Sequence, residues 1–233
     1  SYDLFLLNAR LANERHRFPV ECMPVSQMEG PQLSFPQLVD AMPFRNTRDY
    51  ENYLSRLAAF PHFLGQVTEL MKRGIESGWT VPAGPLRSIP AQISGQIARS
   101  PLLRPLETFP PDIPEGERAR IKTRGEAIIR DQVQPELRRF QSFVADIYLP
   151  AARKDIAASS LPGGLDYYRW TIRFQTTTDL SPRQIHEIGL SEVSRIRGEM
   201  DAVMKKVGFQ GSFQDFLKSL RDDPRFYYTK AED

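Results

Sequence analysis

Residues 180–208, LSPRQIHEIGLSEVSRIRGEMDAVMKKVG, carry a full set of signals for one long helix. Ser181 is a natural N-cap, and Pro182 fills the first helical position, where a missing N–H costs nothing. Gln184 completes an S-x-x-Q capping box, and Leu180 and Ile185 are spaced for a hydrophobic staple. Ile185, Val193, Ile196, Met200, Val203 and Val207 recur at helical period and predict the buried face. Lys205 and Lys206 suit the negative end of the helix dipole, and Gly208 stops the helix. The first turn also holds the strongest hint of chemistry. His186-Glu187 would open an HExxH zinc motif, in which two histidines one turn apart ligate the metal and the glutamate activates water. The second histidine belongs at position 190, where the chain has Leu190. At ~100° per residue, Glu187 points away from the apolar face and His186 lies at its flank. The pair therefore reads as the opening turn of a structural helix.

Working upstream, Thr176-Thr177-Thr178-Asp179 lacks the glycines and the ordered lysine of a phosphate loop. Its hydroxyls are expected to hold the chain's entry into the 181 helix. Tyr168, Trp170, Ile172 and Phe174 alternate as in a strand and equally fit a short helix; propensity does not separate the two. Tyr167 and Tyr168 follow the turn Leu161-Pro-Gly-Gly and either present phenols to a cleft or simply pack. From Glu115 to about Ala158 the period is helical, with Pro135 predicting a kink or a helix–helix junction. Residues 99–114 and 82–90 are proline-rich linkers, and Ile89-Pro90 starts a helix.

Thr47 is placed to cap a helix with the stripe Tyr50, Tyr53, Leu54 and Leu57. Phe60-Pro61 predicts its end or a kink. A second stripe follows (Leu64, Val67, Leu70, Met71, Ile75), with Gly74 and Gly78 as stop signals. Residues 19–46 hold five prolines and read as an ordered loop with short extended pieces. The first 18 residues read as a helix already under way. Downstream, Ser212 caps a helix from Phe213 to about Arg221, with Phe213, Phe216, Leu217 and Leu220 inward. Thr229 and Glu232 have the spacing of a further helix start.

Composition narrows the rest. Hydrophobic residues make up 40% of the 233, enough for a sizeable core. Lys+Arg 31 against Asp+Glu 29 leaves +2, which gives no reason to expect a nucleic-acid or acidic-lipid partner. The single cysteine, Cys22, rules out an internal disulfide and a multi-cysteine metal site; a buried thiol is expected. No apolar run reaches the ~20 residues of a membrane span, and no signal peptide is legible. His16 and His62 have no histidine partner at helical spacing. No serine-hydrolase elbow or dinucleotide glycine motif occurs.

The ordered set CMPVSQMEGP, MPFRNTRDYENYLSRL, LPGGLDYYRWTIRFQTTT, LSPRQIHEIGLSEVSRIRGEM and DPRFYY resembles the bacterial family called domain of unknown function 885, over essentially the whole chain. Members are two to three times longer and resemble helical zincin metallopeptidases. Their zinc motif, of HExxH type with Pro-Gly before the second histidine, lies downstream of the DPRF segment. The resemblance implies that His186-Glu187 matches a helix start and a different element from the metal motif. It also favours helix over strand for 166–175.

The expectation is thus an all-α chain, an irregular multi-helix domain over 1–233 with about seven to nine helices and proline-rich connections, forming part of a larger zincin-like fold. It is expected to be the N-terminal, non-catalytic portion of a zinc-dependent peptidase or hydrolase, with one wall of a substrate cleft carrying Gln27, Tyr167 and Tyr168. No catalytic or metal-binding residue is expected in this chain itself. Zinc and a peptide or peptide-like substrate are expected for the longer parent, which family resemblance makes an exported or periplasmic candidate. An exposed apolar surface is expected where the remainder would dock, and the same surface offers a route to a dimer. The rival reading is a non-enzymatic helical scaffold or peptide-binding module.

Overall fold

A helix of 31 residues, α3 (Thr47–Ser77), is the axis of the first part of the chain in the computed structural model, which describes residues 2–16 and 18–228. Its N-cap is Asn46, one residue before the expected Thr47. The Asn46 side chain accepts from the Asp49 N–H at 3.1 Å. The expected stripe of Tyr50, Tyr53, Leu54 and Leu57 is buried. At Pro61 the helix does not end. Phe60 and Leu64 flank the proline and are both buried. Each contributes about 1.5–3 kcal/mol of burial, enough to offset the ~3 kcal/mol of an interior proline. Gly78 closes the helix in the left-handed region at φ 75°.

Before this axis lie α1 (Tyr2–His16) and α2 (Pro31–Ala41). The second corrects the expectation of a loop over 19–46. Pro31 sits in the first turn, where its missing N–H is harmless, and Pro36 is tolerated inside the helix because Gln32 and Val39 bury their side chains. A short 3-10 turn, Val20–Cys22, precedes it. After the axis come α4 (Ala83–Leu86) and α5 (Ile89–Ala98), then a 3-10 segment, Pro101–Leu106, within the expected linker.

From Glu115 to Ala151 the backbone is helical without a break. It comprises α6 (Glu115–Ile128), α7 (Gln134–Ser142) and α8 (Leu149–Ala151), joined by π-helical turns at Ile129–Val133 and Phe143–Tyr148. Each wide turn comes just before a proline, Pro135 or Pro150. A widened turn gives the ring room beside the carbonyl four residues back, so the junction expected at Pro135 takes the form of a π-helical turn between α6 and α7. The helix ends at Ala151, short of the expected Ala158.

The last helices are α9 (Gly164–Thr176), α10 (Pro182–Lys206) and α11 (Phe213–Asp222). With α6 to α8 counted as one run, the described residues form nine helices and no strand. The protein is all-α. None of these helices is long and apolar enough to cross a membrane. The expected helix start at Thr229–Glu232 lies outside the described residues.

The chain divides into two compact units, Ser1–Trp170 and Thr171–Asp233. In the first, α3 packs on α6 and α7, and α5 lies between α2 and α7. The Tyr53 hydroxyl donates to the Leu102 carbonyl at 2.5 Å and ties the axis to the 101–106 segment. A second apolar cluster gathers Phe18, Cys22, Trp79 and Leu161, with Tyr167 and Trp170 against it.

In the second unit, α10 has the full capping box on Ser181 and Gln184, and α11 has one on Ser212 and Asp215. The face of α10 expected to be buried is not. Val193, Ile196, Met200, Val203 and Val207 are 40–67% exposed, and Met204 is the buried residue of this helix. Helical period marks an apolar stripe; burial also needs a partner. Within this unit α11 is the helix that packs on α10, and its own apolar residues, Phe213, Phe216, Leu217 and Leu220, are half-buried.

Candidate functional site

Of the three residues expected to line a cleft, Gln27 lies at the tip of a built turn, Ser26–Gly30. The Ser26 hydroxyl accepts from the N–H groups of Met28 and Glu29 at 3.2 and 3.1 Å, and the Ser26 N–H donates to the Glu29 carbonyl at 2.8 Å. Two glutamines brace the turn from behind. Gln92 donates to the Gln27 carbonyl at 3.0 Å, and Gln32 donates to the Ser26 carbonyl at 3.0 Å. The backbone of Gln27 is thereby fixed while its side chain stays exposed. Gly30 at φ 130° closes the turn in a conformation open to glycine.

Tyr167 belongs to an aromatic cluster. Its ring meets Phe18 and Trp79 edge-on at centroid distances of 5.2 and 5.3 Å, and it stacks with Trp170 at 6.2 Å. Its ring therefore packs, as one of the two readings expected. Tyr168, the next residue on α9, faces solvent at 42% exposure. Gln27 and Tyr167 have separate neighbours, the first against α5 and the second within the Phe18–Trp79 cluster.

Cys22 is buried beneath the same cluster, and burial pushes its thiol up, with Glu21 adding to the effect. A raised thiol is a poor nucleophile at neutral pH. His62 is exposed on α3. In the second unit, His186 and Glu187 are both exposed in the second turn of α10, with Glu187 held by Arg183 at 2.8 Å. The Thr176 hydroxyl donates to the Ile172 carbonyl at 2.8 Å and accepts from the Thr178 N–H at 3.3 Å. The Thr178 hydroxyl accepts from the Leu180 N–H at 3.5 Å. The threonines thus lead the chain into α10 as expected. Thr177 between them adopts φ 57°, a strained value for a β-branched residue. Among the described residues, no group of three or more His, Cys, Asp or Glu side chains could hold a metal ion.

The residues missed from sequence are Gln32, Gln92 and Gln96. Gln32 is 1% exposed inside α2, a helix hidden by its prolines. A buried amide leaves no mark in an apolar period, so only the packing reveals it.

A family model described as "Bacterial protein of unknown function (DUF885)" matches residues 1–233. Among solved structures, the chain is similar to one described as "The crystal structure of the putative lipoprotein from Colwellia psychrerythraea". The identity is 23% and the TM-score 0.80, over 90% of this chain and 37% of that one. At this identity the likeness is one of fold, and the chain spans little more than a third of that protein's length. No curated protein matches the chain.

Proposed function

The chain belongs to the bacterial DUF885 family, and from that premise we propose that it is the N-terminal, non-catalytic portion of a zinc-dependent peptidase. The observation that carries this reading is the fold match, which takes in 90% of this chain and 37% of a longer one. Such a match supports a part of a larger helical body. Among the described residues, no group of three or more His, Cys, Asp or Glu side chains could hold a metal ion. His186 and Glu187 are engaged in a helix start, with Leu190 where a second ligand would stand. In this reading the zinc belongs to the remainder of the parent, where it supplies a Lewis acid and an activated water.

The exposed stripe on α10 is the surface on which that remainder packs. Val193, Val203 and Val207 would each leave an apolar side chain in water without it. Gln27 and Tyr168 would supply an exposed amide and phenol to the backbone of a peptide substrate, with Tyr167 fixing the start of α9 through its aromatic neighbours. A second copy of the chain is the competing occupant of the stripe, and an exported parent is the expected setting.

The test compares the full-length polypeptide containing these residues with the 233-residue chain, by metal analysis and by cleavage of a quenched peptide library. The full-length protein should hold stoichiometric zinc and lose its cleavage on chelation. The 233-residue chain should show neither property. Chelator-sensitive cleavage by the short chain would overturn the assignment. A full-length protein with neither zinc nor cleavage would favour the scaffold reading.

A further inference from the structure

We infer that a cavity beside α2 and α5 binds one water molecule, held jointly by the side-chain oxygens of Gln32 and Gln96. The orientation of Gln32 is set by its surroundings. Its Nε2 faces the Ser26 carbonyl at 3.0 Å, the Glu29 carbonyl at 3.3 Å and Gln92 Oε1 at 3.4 Å. All three are acceptors, so a flipped amide would set oxygen against oxygen. The Oε1 of Gln32 must therefore point the other way. There it is buried, and so is Gln96 Oε1; among the described residues neither has a hydrogen-bond partner.

Both side chains line one small cavity, walled otherwise by carbon from Phe35, Phe60, Leu102 and Leu137 among others. Its volume is about 10 Å³, room for a single water. Two acceptors cannot satisfy each other; they need a donor of two hydrogens between them. Water is that donor. An ammonium or metal cation would want more oxygens than two and would be left desolvated against the aromatic and aliphatic walls.

The site explains why Gly30 and Gln32 occur together. A Cβ on Gly30 would collide with Gln32 Oε1, the atom that takes the water. The bound water in turn holds the amide plane of Gln32, and that amide clamps the turn that carries Gln27. The inference does not depend on the peptidase reading, since the turn and the cavity lie within one unit.

A crystal structure of the chain at about 1.5 Å tests it. One ordered peak should lie within about 2.7–3.2 Å of both Oε1 atoms. The peak should be the same in crystals grown with and without ammonium salts. A dry cavity, a peak seen only with ammonium, or a Gln96 amide turned to donate directly to Gln32 would each overturn the proposal. Gln96→Met keeps the bulk and removes one acceptor. With it, exchange of the Met28 and Glu29 amides should quicken about tenfold and the melting temperature should fall by about 5 °C. Gln96→Leu repeats the test should the first variant fold poorly. Unchanged exchange and melting in a folded variant would sink the idea.

Discussion

Gly74 offers a sharp test of the packing, because two rules give it opposite signs. It lies inside α3, where alanine is ordinarily better than glycine by about 1 kcal/mol. In this fold, however, a Cβ at position 74 would sit 2.6 Å from the Trp79 carbonyl oxygen and 2.9 Å from that of Cys22. Both are backbone atoms, one just after the Gly78 cap and the other in the Val20–Cys22 turn. An ordinary C···O contact is about 3.3 Å, so the Trp79 and Cys22 carbonyls would have to retreat by roughly 0.7 and 0.4 Å. Overpacking of this kind costs about 1–3 kcal/mol, with the upper end apt for backbone that cannot rotate away. After the helix gain is subtracted, Gly74→Ala should lose about 2 kcal/mol. Gly65 is the control. It lies in the same helix with nothing within 4 Å of its would-be Cβ. Gly65→Ala should gain up to about 1 kcal/mol. Urea unfolding followed by tryptophan fluorescence reads both, since Trp79 and Trp170 sit in the cluster above Cys22. The two variants should differ by about 3 kcal/mol, or roughly 6–12 °C in melting. If Gly74→Ala proves as stable as Gly65→Ala, α3 does not rest on the 20–22 turn and the described packing is wrong.

Thr177→Gly should raise the stability of the second unit by about 1 kcal/mol, read by far-UV circular dichroism on heating, because glycine adopts φ 57° without strain. Ser181→Ala should cost about 1 kcal/mol and speed amide exchange at Gln184, whose N–H the hydroxyl accepts; unchanged exchange would argue against the capping box. The Ser212 hydroxyl, followed by its N–H, holds the Asp215 carboxyl below the usual aspartate range. The folded value is thus below the unfolded one, so this support for α11 is present above the ordinary range and is lost as pH falls through the lowered value. An acid titration of helicity should show that loss, and Asp215→Asn should remove its pH dependence. In the full-length protein, Gln27→Ala and Tyr168→Phe should each raise KM for peptides about tenfold with the fold intact, a loss of ~1.4 kcal/mol in binding; unchanged kinetics in both would exclude these side chains from the substrate.

What was legible beforehand follows a physical division. The capping boxes at Ser181 and Ser212 were readable because their donors and acceptors lie within three residues of each other. The stripe of Tyr50, Tyr53, Leu54 and Leu57 was readable because helical spacing alone sets it on one face. Proline misled the reading over 19–46, where the ring's local cost at Pro36 is outweighed by buried neighbours. At Pro61 the helix continues, and the junction expected at Pro135 is a π-helical turn that leads into α7. Of the residues proposed for a cleft, Gln27 and Tyr168 are exposed. The glutamines that brace the Gln27 turn come from α2 and α5, separated by sixty residues between Gln32 and Gln92. No local pattern connects them.

By itself, the amino-acid sequence determined the helical class and the capped ends of α10 and α11 in this DUF885 chain, because caps, periods and dipole-matched charges act within one or two turns. Its ordered motifs also carried the family. Only the tertiary structure decided which apolar faces find a partner. It left the α10 stripe in solvent, carried α3 through Pro61, and set Gln32 and Gln96 on one small cavity. Burial is a property of two surfaces meeting, and one segment's sequence encodes only its own side of that contact.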